Sequence, residues 1–377
     1  MKRYLLTPGP TPVPEIVRFA EARQIIHHRT PEFSAIFMEA SEGLKYVFQT
    51  KQEVYIFSSV GSGAMEAAVV NTMSAGDTGL VVDTGKFGER WKKILEKYGV
   101  KTEVLKYGWG ESVKTEDVEK KLKENGNIKA VFTQLTETST GIVNDIKKLA
   151  QIVSGTGSIL VVDAVSGLAG QEFYMDDWNV DVTVAGSQKG LMLAPGLGFI
   201  AFSQKAWNMV EASKLPKFYF DVKAYRKNLQ NKTQPFTTPV SLIAGLNESI
   251  KLIKGEGLEK IFERCKKLAA ATRAGVKALG LELFTEVPCD VVTSVKVPAG
   301  LDGAALVKRM RDELGVGIAG GQDDLKGKMF RIAHMGYMYE FDLIVAVAAL
   351  EMMLHTMGYK VELGRGIRAM EETFLKK

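Results

Sequence analysis

The sequence predicts an α/β protein in which a large domain on a mostly parallel sheet is followed by a smaller C-terminal α+β domain. The first observation is a series of short apolar runs rich in β-branched residues, at 54–59, 79–84, 130–135, 159–164, 182–187 and 198–203. The second is that amphipathic stretches separate several of these runs, at 86–98, 115–124 and 144–154. Apolar strands joined by helical crossovers are typical of a parallel or mixed sheet covered on both faces.

The last third of the chain has a different pattern. A helical stretch runs from about Thr238 to Leu279 and is interrupted by glycines at 255–257. Beyond it we expect two strands and two helices, at 291–297, 329–333, 302–313 and 340–357. This mixture of elements predicts the small α+β domain.

Three parts of the chain are therefore expected. The segment TPGPTPVP (7–14) is too rich in proline for a strand or a helix, which predicts an extended N-terminal arm over residues 1–20. The large domain is expected over 21–255 and the small domain over 256–377.

Composition excludes several classes of protein. The 377 residues are 46% hydrophobic and carry a net charge of only +5, so we expect neither a nucleic-acid nor a membrane partner. Cys265 and Cys289 form no disulfide framework, which favours a reduced, cytoplasmic location. The start of the chain lacks the apolar region of a signal peptide, and no apolar run approaches the roughly 20 residues of a membrane span.

A lysine directly follows one of the predicted strands, in the segment Ser187-Gln188-Lys189-Gly190. A partly buried lysine near other positive charge has a lowered pKa and becomes a nucleophile toward aldehydes. Taken alone, this lysine could also simply mark the end of a strand.

Asp163 ends the strand at 159–162, so we expect it at the same edge of the sheet as Lys189. An aspartate there could pair with a protonated pyridine nitrogen and keep the ring an electron sink. A helix cap or a turn is the simpler role for this aspartate alone, and the pair is more informative than either residue.

Three further loops follow strand ends. Gly61-Ser62-Gly63 opens a helix, whose free N–H groups suit a phosphate, although a tight turn would look the same. Phe87 lies between glycines and could stack on a flat cofactor or pack in the core. Thr138 lies in a loop rich in hydroxyl side chains that could donate hydrogen bonds to a ligand.

Taken together, the motifs resemble those of class V aminotransferases, in the alanine/serine–glyoxylate (serine–pyruvate) branch. The resemblance covers nearly the whole chain. It is carried by ordered matches at 5–12, 46–50, 61–66, 87–90, 139–141, 162–166, 186–189, 237–241 and 327–332.

This resemblance implies the aspartate-aminotransferase-like fold (fold type I), pyridoxal 5′-phosphate (PLP) as cofactor, and a homodimer. Lys189 would hold PLP as a Schiff base and, when freed, act as the base. The remaining implied contacts are Asp163 to the pyridine nitrogen, Phe87 and Val165 on the two ring faces, Thr138 near the ring, and Gly61, Ser62, Gly63 and Gln188 to the phosphate.

Two contacts involve the second subunit or the substrate. The resemblance implies that Thr237 reaches the phosphate bound by the partner subunit, and that Arg331 binds the substrate carboxylate through a bidentate pair. A tyrosine that some members use beside Thr237 corresponds to Gln234 here, and a histidine corresponds to Ser62.

The substrates implied are a small amino acid and a small 2-oxo acid, because no second arginine is clearly placed for a distal acid group. Arg29 or Arg226 could still reach the pocket from either subunit, so aspartate stays open. The adjacent His27 and His28 lack the spacing of a metal site, and we expect no metal.

Three functions other than transamination can be compared with these motifs. A cysteine desulfurase would need a nucleophilic cysteine before Arg331, and the segment 315–331 contains none. A PLP lyase or aldolase would use the same cofactor residues and stays open. A non-catalytic scaffold subunit also stays open, although Lys189, Asp163 and Arg331 are all present.

Overall fold

A computed structural model describes residues 2–376, so Met1 and Lys377, which end the predicted arm and small domain, lie outside the described residues. The strands are β1 (Tyr4–Leu5), β2 (Val54–Phe57), β3 (Thr78–Asp83), β4 (Lys101–Lys106), β5 (Ile128–Gln134), β6 (Thr136–Glu137), β7 (Ile142–Val143), β8 (Ile159–Asp163), β9 (Val182–Gly186), β10 (Gly198–Phe202), β11 (Val292–Lys296), β12 (Val316–Gly317), β13 (Ala319–Gly320) and β14 (Met329–Ala333).

The helices are α1 (Glu15–Glu21), α2 (Pro31–Phe48), α3 (Gly61–Thr72), α4 (Lys86–Lys97), α5 (Thr115–Glu124), α6 (Ile146–Ser154), α7 (Gln204–Ala212), α8 (Val222–Gln230), α9 (Val240–Glu256), α10 (Leu258–Ala278), α11 (Gly303–Leu314), α12 (Glu340–Thr356) and α13 (Arg365–Leu375). No helix within residues 2–376 is long and apolar enough to cross a membrane.

Seven strands form the central sheet, in the order β2-β10-β9-β8-β5-β3-β4. The strand β10 is antiparallel to its neighbours β2 and β9, whereas the pairs from β9 through β4 are parallel. The expectation of a mostly parallel sheet is confirmed. Because β2 and β9 both run antiparallel to β10, they run in the same direction as each other. The strands that lead into the predicted site loops therefore end at the same edge of the sheet.

Alternating side chains of the central strands pack into two separate cores. In β8, Leu160 and Val162 belong to one core, and Ile159 and Val161 belong to the other. All five residues of β8 are buried. This burial on both faces explains why the strands are nearly continuous apolar runs, since neither face has to meet water.

The C-terminal region forms its own core around the sheet β11-β14-β13 and the helices α10 to α13. The strand β14 pairs antiparallel with β11, and Arg331 lies opposite Ser294 in this ladder. The predicted helical stretch forms two helices: α9 ends at Glu256 and α10 begins at Leu258. Gly257 lies between them at φ 88°. The interruption expected at 255–257 is therefore present.

The N-terminal segment connects the two cores. Its strand β1 pairs in parallel with β12, beside the small sheet, and residues 7–14 then run without helix or strand. Proline explains this extended course, because it fixes φ and lacks an N–H donor. The helix α1, which falls within the predicted arm, buries Val17 and Ala20. The extended course expected for residues 7–14 is therefore confirmed.

Candidate active site

A cleft opens at the carboxyl edge of the central sheet. Most of the residues predicted for the cofactor line it: Gly61, Ser62, Phe87, Thr138, Asp163, Val165, Gln188 and Lys189. Each follows the end of a strand, so residues far apart in the sequence meet because parallel strands end together.

Lys189 follows β9 by three residues and is held by the N-terminal segment. Its Nζ donates to the carbonyl oxygen of Pro8, and its own carbonyl accepts from Thr11 Oγ1 at 2.8 Å. Burial lowers the pKa of Lys189 to about 8; nearby Arg331 and Arg90 also lower it, while Asp163 opposes the shift. A larger share of this lysine is therefore the neutral, nucleophilic amine near neutral pH than is usual.

Asp163 closes β8 and is buried, with 5% of its surface exposed. Its Oδ1 accepts a hydrogen bond from the Val165 N–H at 2.8 Å. Burial raises the pKa of Asp163 to about 6, while the Val165 N–H, Arg90 and Lys189 all favour the charged form. A carboxylate at the floor of a cleft is ready to pair with a cationic group of a ligand.

The helix α3 begins at the cleft with no side-chain cap at Val60. The N–H groups of Gly61 and Ser62 are thus free for a ligand, whereas the Gly63 N–H donates to the Val60 carbonyl at 2.9 Å. A Cβ on Gly61 would lie 2.6 Å from Val165 Cγ2, so only glycine fits at this helix start. Gly63, unlike the other two, does not line the cleft.

Gln188 adds an unsatisfied polar group to this end of the cleft. Its Oε1 is buried and has no hydrogen-bond partner among the described residues. A buried amide without a partner costs free energy, which a ligand can recover by pairing with it. The free N–H groups of Gly61 and Ser62 suit an anionic ligand such as a phosphate, whereas the Gln188 amide oxygen is an acceptor that calls for an N–H or O–H donor.

Phe87 opens α4 on the other side of the cleft, and its backbone is held by Glu137. The buried Glu137 carboxylate accepts from the N–H groups of Phe87 at 3.0 Å and Gly88 at 3.2 Å, and from Ser139. Gly85 precedes this turn at φ 155° and lies so close to Glu137 that a Cβ would reach its Cγ at 2.7 Å. Burial raises the pKa of Glu137 to about 7, against the pull of these donors.

Arg331 lies on β14 in the C-terminal region and contacts Thr138, a residue that lines the cleft. Its Nη1 donates to the Thr138 carbonyl at 2.8 Å, and its Nη2 and Nε donate to the Gly320 carbonyl at 2.7 and 3.2 Å. These contacts leave further guanidinium N–H groups for an anion. Burial lowers the pKa of Arg331 to about 10, and Glu137 opposes the shift.

Thr138 and Thr237 lie in very different surroundings. The buried Thr138 hydroxyl donates to Ser166 Oγ at 2.6 Å beside the cleft. Thr237 is exposed and does not line the cleft of its own chain. Gln234 corresponds to the tyrosine that some family members use beside Thr237. It is buried, and its side-chain amide donates to the Ile56 carbonyl at 3.1 Å.

The other candidate residues for substrate or metal binding do not line the cleft. The guanidinium of Arg226 stacks 4.3 Å above the ring of Trp207, and Arg29 is exposed before α2. His27 and His28 stack on each other at 4.6 Å. Within residues 2–376 no cluster of histidine, cysteine and carboxylate side chains suits a metal ion.

The sequence motifs did not indicate the roles of Arg90 and Glu137 at the cleft. Arg90 lines it, and Glu137 holds the backbone of Phe87. The spacing of Arg90, three residues after Phe87 on a helix, was an available signal, since such residues share a face. The role of Glu137 depends on contacts across about 50 residues of sequence, which no local pattern reveals.

Residues 4–338 match the sequence model of the family described as aminotransferase class V. The chain belongs to the class V aminotransferases. The family resemblance is confirmed, and PLP is the cofactor that this membership implies. The residues present fit PLP: an amine of lowered pKa, a buried carboxylate and an uncapped helix start surround one cleft.

Several relatives of this class V aminotransferase cover almost its whole length. It is 41% identical to the soluble hydrogenase, small subunit, of Synechococcus sp., over 95% of this chain and 94% of that one. It is 35% identical to an L-aspartate–glyoxylate aminotransferase of Paracoccus denitrificans, over 98% and 96% of the two chains. It is also 35% identical to a serine–glyoxylate aminotransferase of Methylorubrum extorquens, over 98% and 95%.

A solved structure shares the fold in full. Ureidoglycine–glyoxylate aminotransferase of Bacillus subtilis superposes with a TM-score of 0.94 at 29% identity, over 100% of this chain and 99% of that one. The expected PLP-transferase fold is thereby confirmed.

Proposed function

We propose that this class V aminotransferase transfers the amino group of a small amino acid, alanine or serine, to a small 2-oxo acid, glyoxylate or pyruvate. The observation that carries the proposal is that Lys189 and Asp163 line one cleft, and that Arg331 donates a hydrogen bond to Thr138 beside them. They supply an amine, an anion and a receptor for a carboxylate. The names of three relatives also support glyoxylate as one substrate, while those names differ in the amino donor.

Lys189 is proposed to hold the cofactor covalently and then to act as the base. When bound, PLP supplies an electron sink for the bond that breaks at the substrate Cα. The Lys189 amine, freed when substrate takes its place, moves the proton from Cα. A pKa of about 8 suits this role, because a base works best when its pKa lies near the working pH.

The other residues are proposed to position the cofactor. Asp163 pairs with the pyridine nitrogen, Phe87 and Val165 cover the two faces of the ring, and Thr138 hydrogen-bonds near it. The Gly61 and Ser62 N–H groups and Gln188 hold the phosphate. Gly63 was expected to donate as well; its N–H is bonded to Val60, so we propose for it only the close packing of the helix start.

Arg331 is proposed to bind the α-carboxylate of either substrate. The planar guanidinium matches a carboxylate in a bidentate pair, and its three backbone contacts fix its orientation beforehand. Selection of small substrates was expected from the lack of a second arginine, yet Arg90 lines the cleft. Whether aspartate is also a donor therefore depends on which anion Arg90 binds.

We also propose a cytoplasmic homodimer in which Thr237 of one subunit contacts the phosphate held by the other. Exposure of Thr237 outside its own cleft supports this, because only a second copy could then bring it to a phosphate. The buried, unpaired Cys265 and Cys289 fit a reducing compartment.

Mixing two inactive variants tests the shared site. Lys189→Ala and Thr237→Asp remove residues that would belong to opposite subunits of one site. In a mixed dimer one site would have neither change, so we expect activity to return after subunits are exchanged. If Thr237→Asp alone retains full activity, or if mixing restores none, the shared site is wrong.

A matrix of donors and acceptors tests the reaction itself. Alanine, serine, aspartate and glutamate are each combined with glyoxylate, pyruvate and 2-oxoglutarate, and the amino-acid products are measured. We expect alanine or serine with glyoxylate or pyruvate to give the highest kcat/KM, with ping-pong kinetics. Product formed from the amino acid without any 2-oxo acid would instead indicate the lyase or aldolase.

A non-catalytic subunit is the second candidate, because the 41% identical relative is named as a subunit of a soluble hydrogenase. This candidate predicts that purified protein mixed with PLP gains no visible absorbance and no transamination. Absorbance of bound cofactor together with turnover would exclude it.

A further inference from the structure

Arg90 lies in the cofactor cleft without a role in the site described above. It belongs to α4 and follows Phe87 by three residues, so both side chains share one face of the helix. Its guanidinium carbon lies 4.7 Å from the centre of the Phe87 ring, and its Nη1 donates to Ser62 Oγ at 2.9 Å. Arg90 is therefore held at the uncapped start of α3.

Arg90 forms no ion pair within residues 2–376, although its charge favours the ionised form of Asp163. Lys86, Lys92 and Lys93 on the same helix each form an ion pair with a glutamate, whereas the hydrogen bond of the Arg90 side chain goes to a neutral hydroxyl. A half-buried guanidinium with spare donors, aimed at a helix start, indicates an anionic ligand.

The other charges in the cleft already have partners in the proposed site. Of the charged residues lining it, Lys189 would be joined to the cofactor and Asp163 would face the pyridine nitrogen. A phosphate monoester carries about −1.5 to −2 charges, and a helix start offers only about +0.5. The phosphate thus needs a cation at this end of the cleft, and Arg90 is in position to supply it.

We propose that Arg90 binds the 5′-phosphate of the cofactor together with the N–H groups of Gly61 and Ser62. Arg90 thereby makes this enzyme select phosphorylated over unphosphorylated pyridoxal. This inference rests on the cofactor placement proposed above. It also assigns the second arginine of the cleft to the cofactor, which leaves the substrate with Arg331 and favours donors without a distal acid group.

The competing role for Arg90 is to bind the distal carboxylate of a dicarboxylic donor such as aspartate. The hydrogen bond to Ser62 decides between the two, because Ser62 belongs to the helix start that faces the phosphate. Arg331, the proposed carboxylate receptor, is instead bonded to Thr138 and to Gly320 of the small domain.

Titration of two ligands into the cofactor-stripped, full-length protein tests the proposal. Dissociation constants for PLP and for pyridoxal, which lacks the phosphate, are measured for wild type, Arg90→Met and Arg90→Lys. We expect Arg90→Met to weaken PLP binding about tenfold or more and pyridoxal binding less than about threefold, since a charge-assisted hydrogen bond is lost only with PLP. Arg90→Lys should recover part of the loss.

Phe87→Leu is the matched control on the same helix face. It removes ring stacking rather than charge, so it should weaken PLP and pyridoxal binding by similar factors. Circular dichroism confirms that each variant is folded.

Two results would overturn the role of Arg90. One is equal weakening of both ligands by Arg90→Met, which would mean a packing role. The other is unchanged PLP affinity together with a raised KM for aspartate relative to alanine, which would mean a substrate role. A wrong placement of the cofactor would give a third, distinguishable result, because the wild-type protein itself would then bind no PLP.

Discussion

The Glu137 carboxylate accepts a hydrogen bond from the Phe87 backbone N–H at 3.0 Å, across 50 positions of sequence. Glu137 lies on β6 and thereby caps the start of α4 from outside the helix. This cap fixes where the ring of Phe87 enters the cleft. The same carboxylate favours the charged form of Arg331. One buried group is thus linked both to the predicted stacking ring and to the predicted substrate receptor.

Glu137→Gln should destabilise the protein and loosen cofactor binding. Both carboxylate oxygens accept from N–H or O–H donors, so an amide NH₂ in place of either oxygen would face donors. An unsatisfied buried donor costs about 1–3 kcal/mol, which we expect as the loss in unfolding free energy by urea denaturation. Glu96→Gln, an exposed change on α4, the helix that Glu137 caps, is the control and should cost little. Equal stability of the two variants would contradict the capping role.

Asp163→Asn should lower kcat/KM about 1,000-fold. An ion pair at about 4 Å is worth about 4 kcal/mol at an effective dielectric constant of 20, and that energy corresponds to roughly three orders of magnitude in rate. The neutral amide would no longer keep the pyridine nitrogen protonated. Steady-state kinetics with saturating PLP measures the effect, and a loss under about tenfold would rule out this role.

The rate at which the cofactor-free protein captures PLP should depend on pH through Lys189. Burial disfavours the ammonium form and lowers the pKa to about 8, so the reactive neutral amine is scarce below pH 8 and abundant above it. We therefore expect the capture rate to rise about tenfold per pH unit below 8 and to level off above. Stopped-flow absorbance would detect this, and a rate still rising steeply at pH 10 would indicate an ordinary, exposed lysine.

Arg331→Lys should raise the KM for amino acids about tenfold or more with a smaller change in kcat. Lysine cannot form the bidentate pair, nor can it bridge the Thr138 and Gly320 carbonyls as the guanidinium does. Arg226→Lys is the matched control, because Arg226 stacks on Trp207 outside the cleft. If both substitutions leave KM unchanged, another group binds the carboxylate.

Most of the fold could be predicted because its signals are local. The helix at 115–124 and the strand at 329–333 have the predicted bounds, and the other predicted elements shift by only a few residues at their ends. The strand β4, KTEVLK, was missed because it lies at the edge of the sheet and is only partly buried. Its polar sequence lacks the continuous apolar run that identified the central strands.

The site was predictable where a residue ends a strand or follows it closely, as Asp163 and Lys189 do. It was not predictable where two distant segments meet. The contact between Pro8 and Lys189 joins residues 181 positions apart, and the Arg331 contact to Thr138 joins residues 193 positions apart. Both contacts arise only once distant segments are folded together, so no periodicity in the sequence encodes them.

The attachment of PLP to Lys189 is the claim on which the rest of this account depends. Borohydride reduction of the PLP-loaded protein, followed by proteolysis and mass spectrometry, locates the modified lysine directly, with Lys189→Ala as the control. We expect the cofactor mass on the peptide containing Ser187-Gln188-Lys189, and none in the variant. A label on another lysine, or no label at all on wild type, would contradict the assignment.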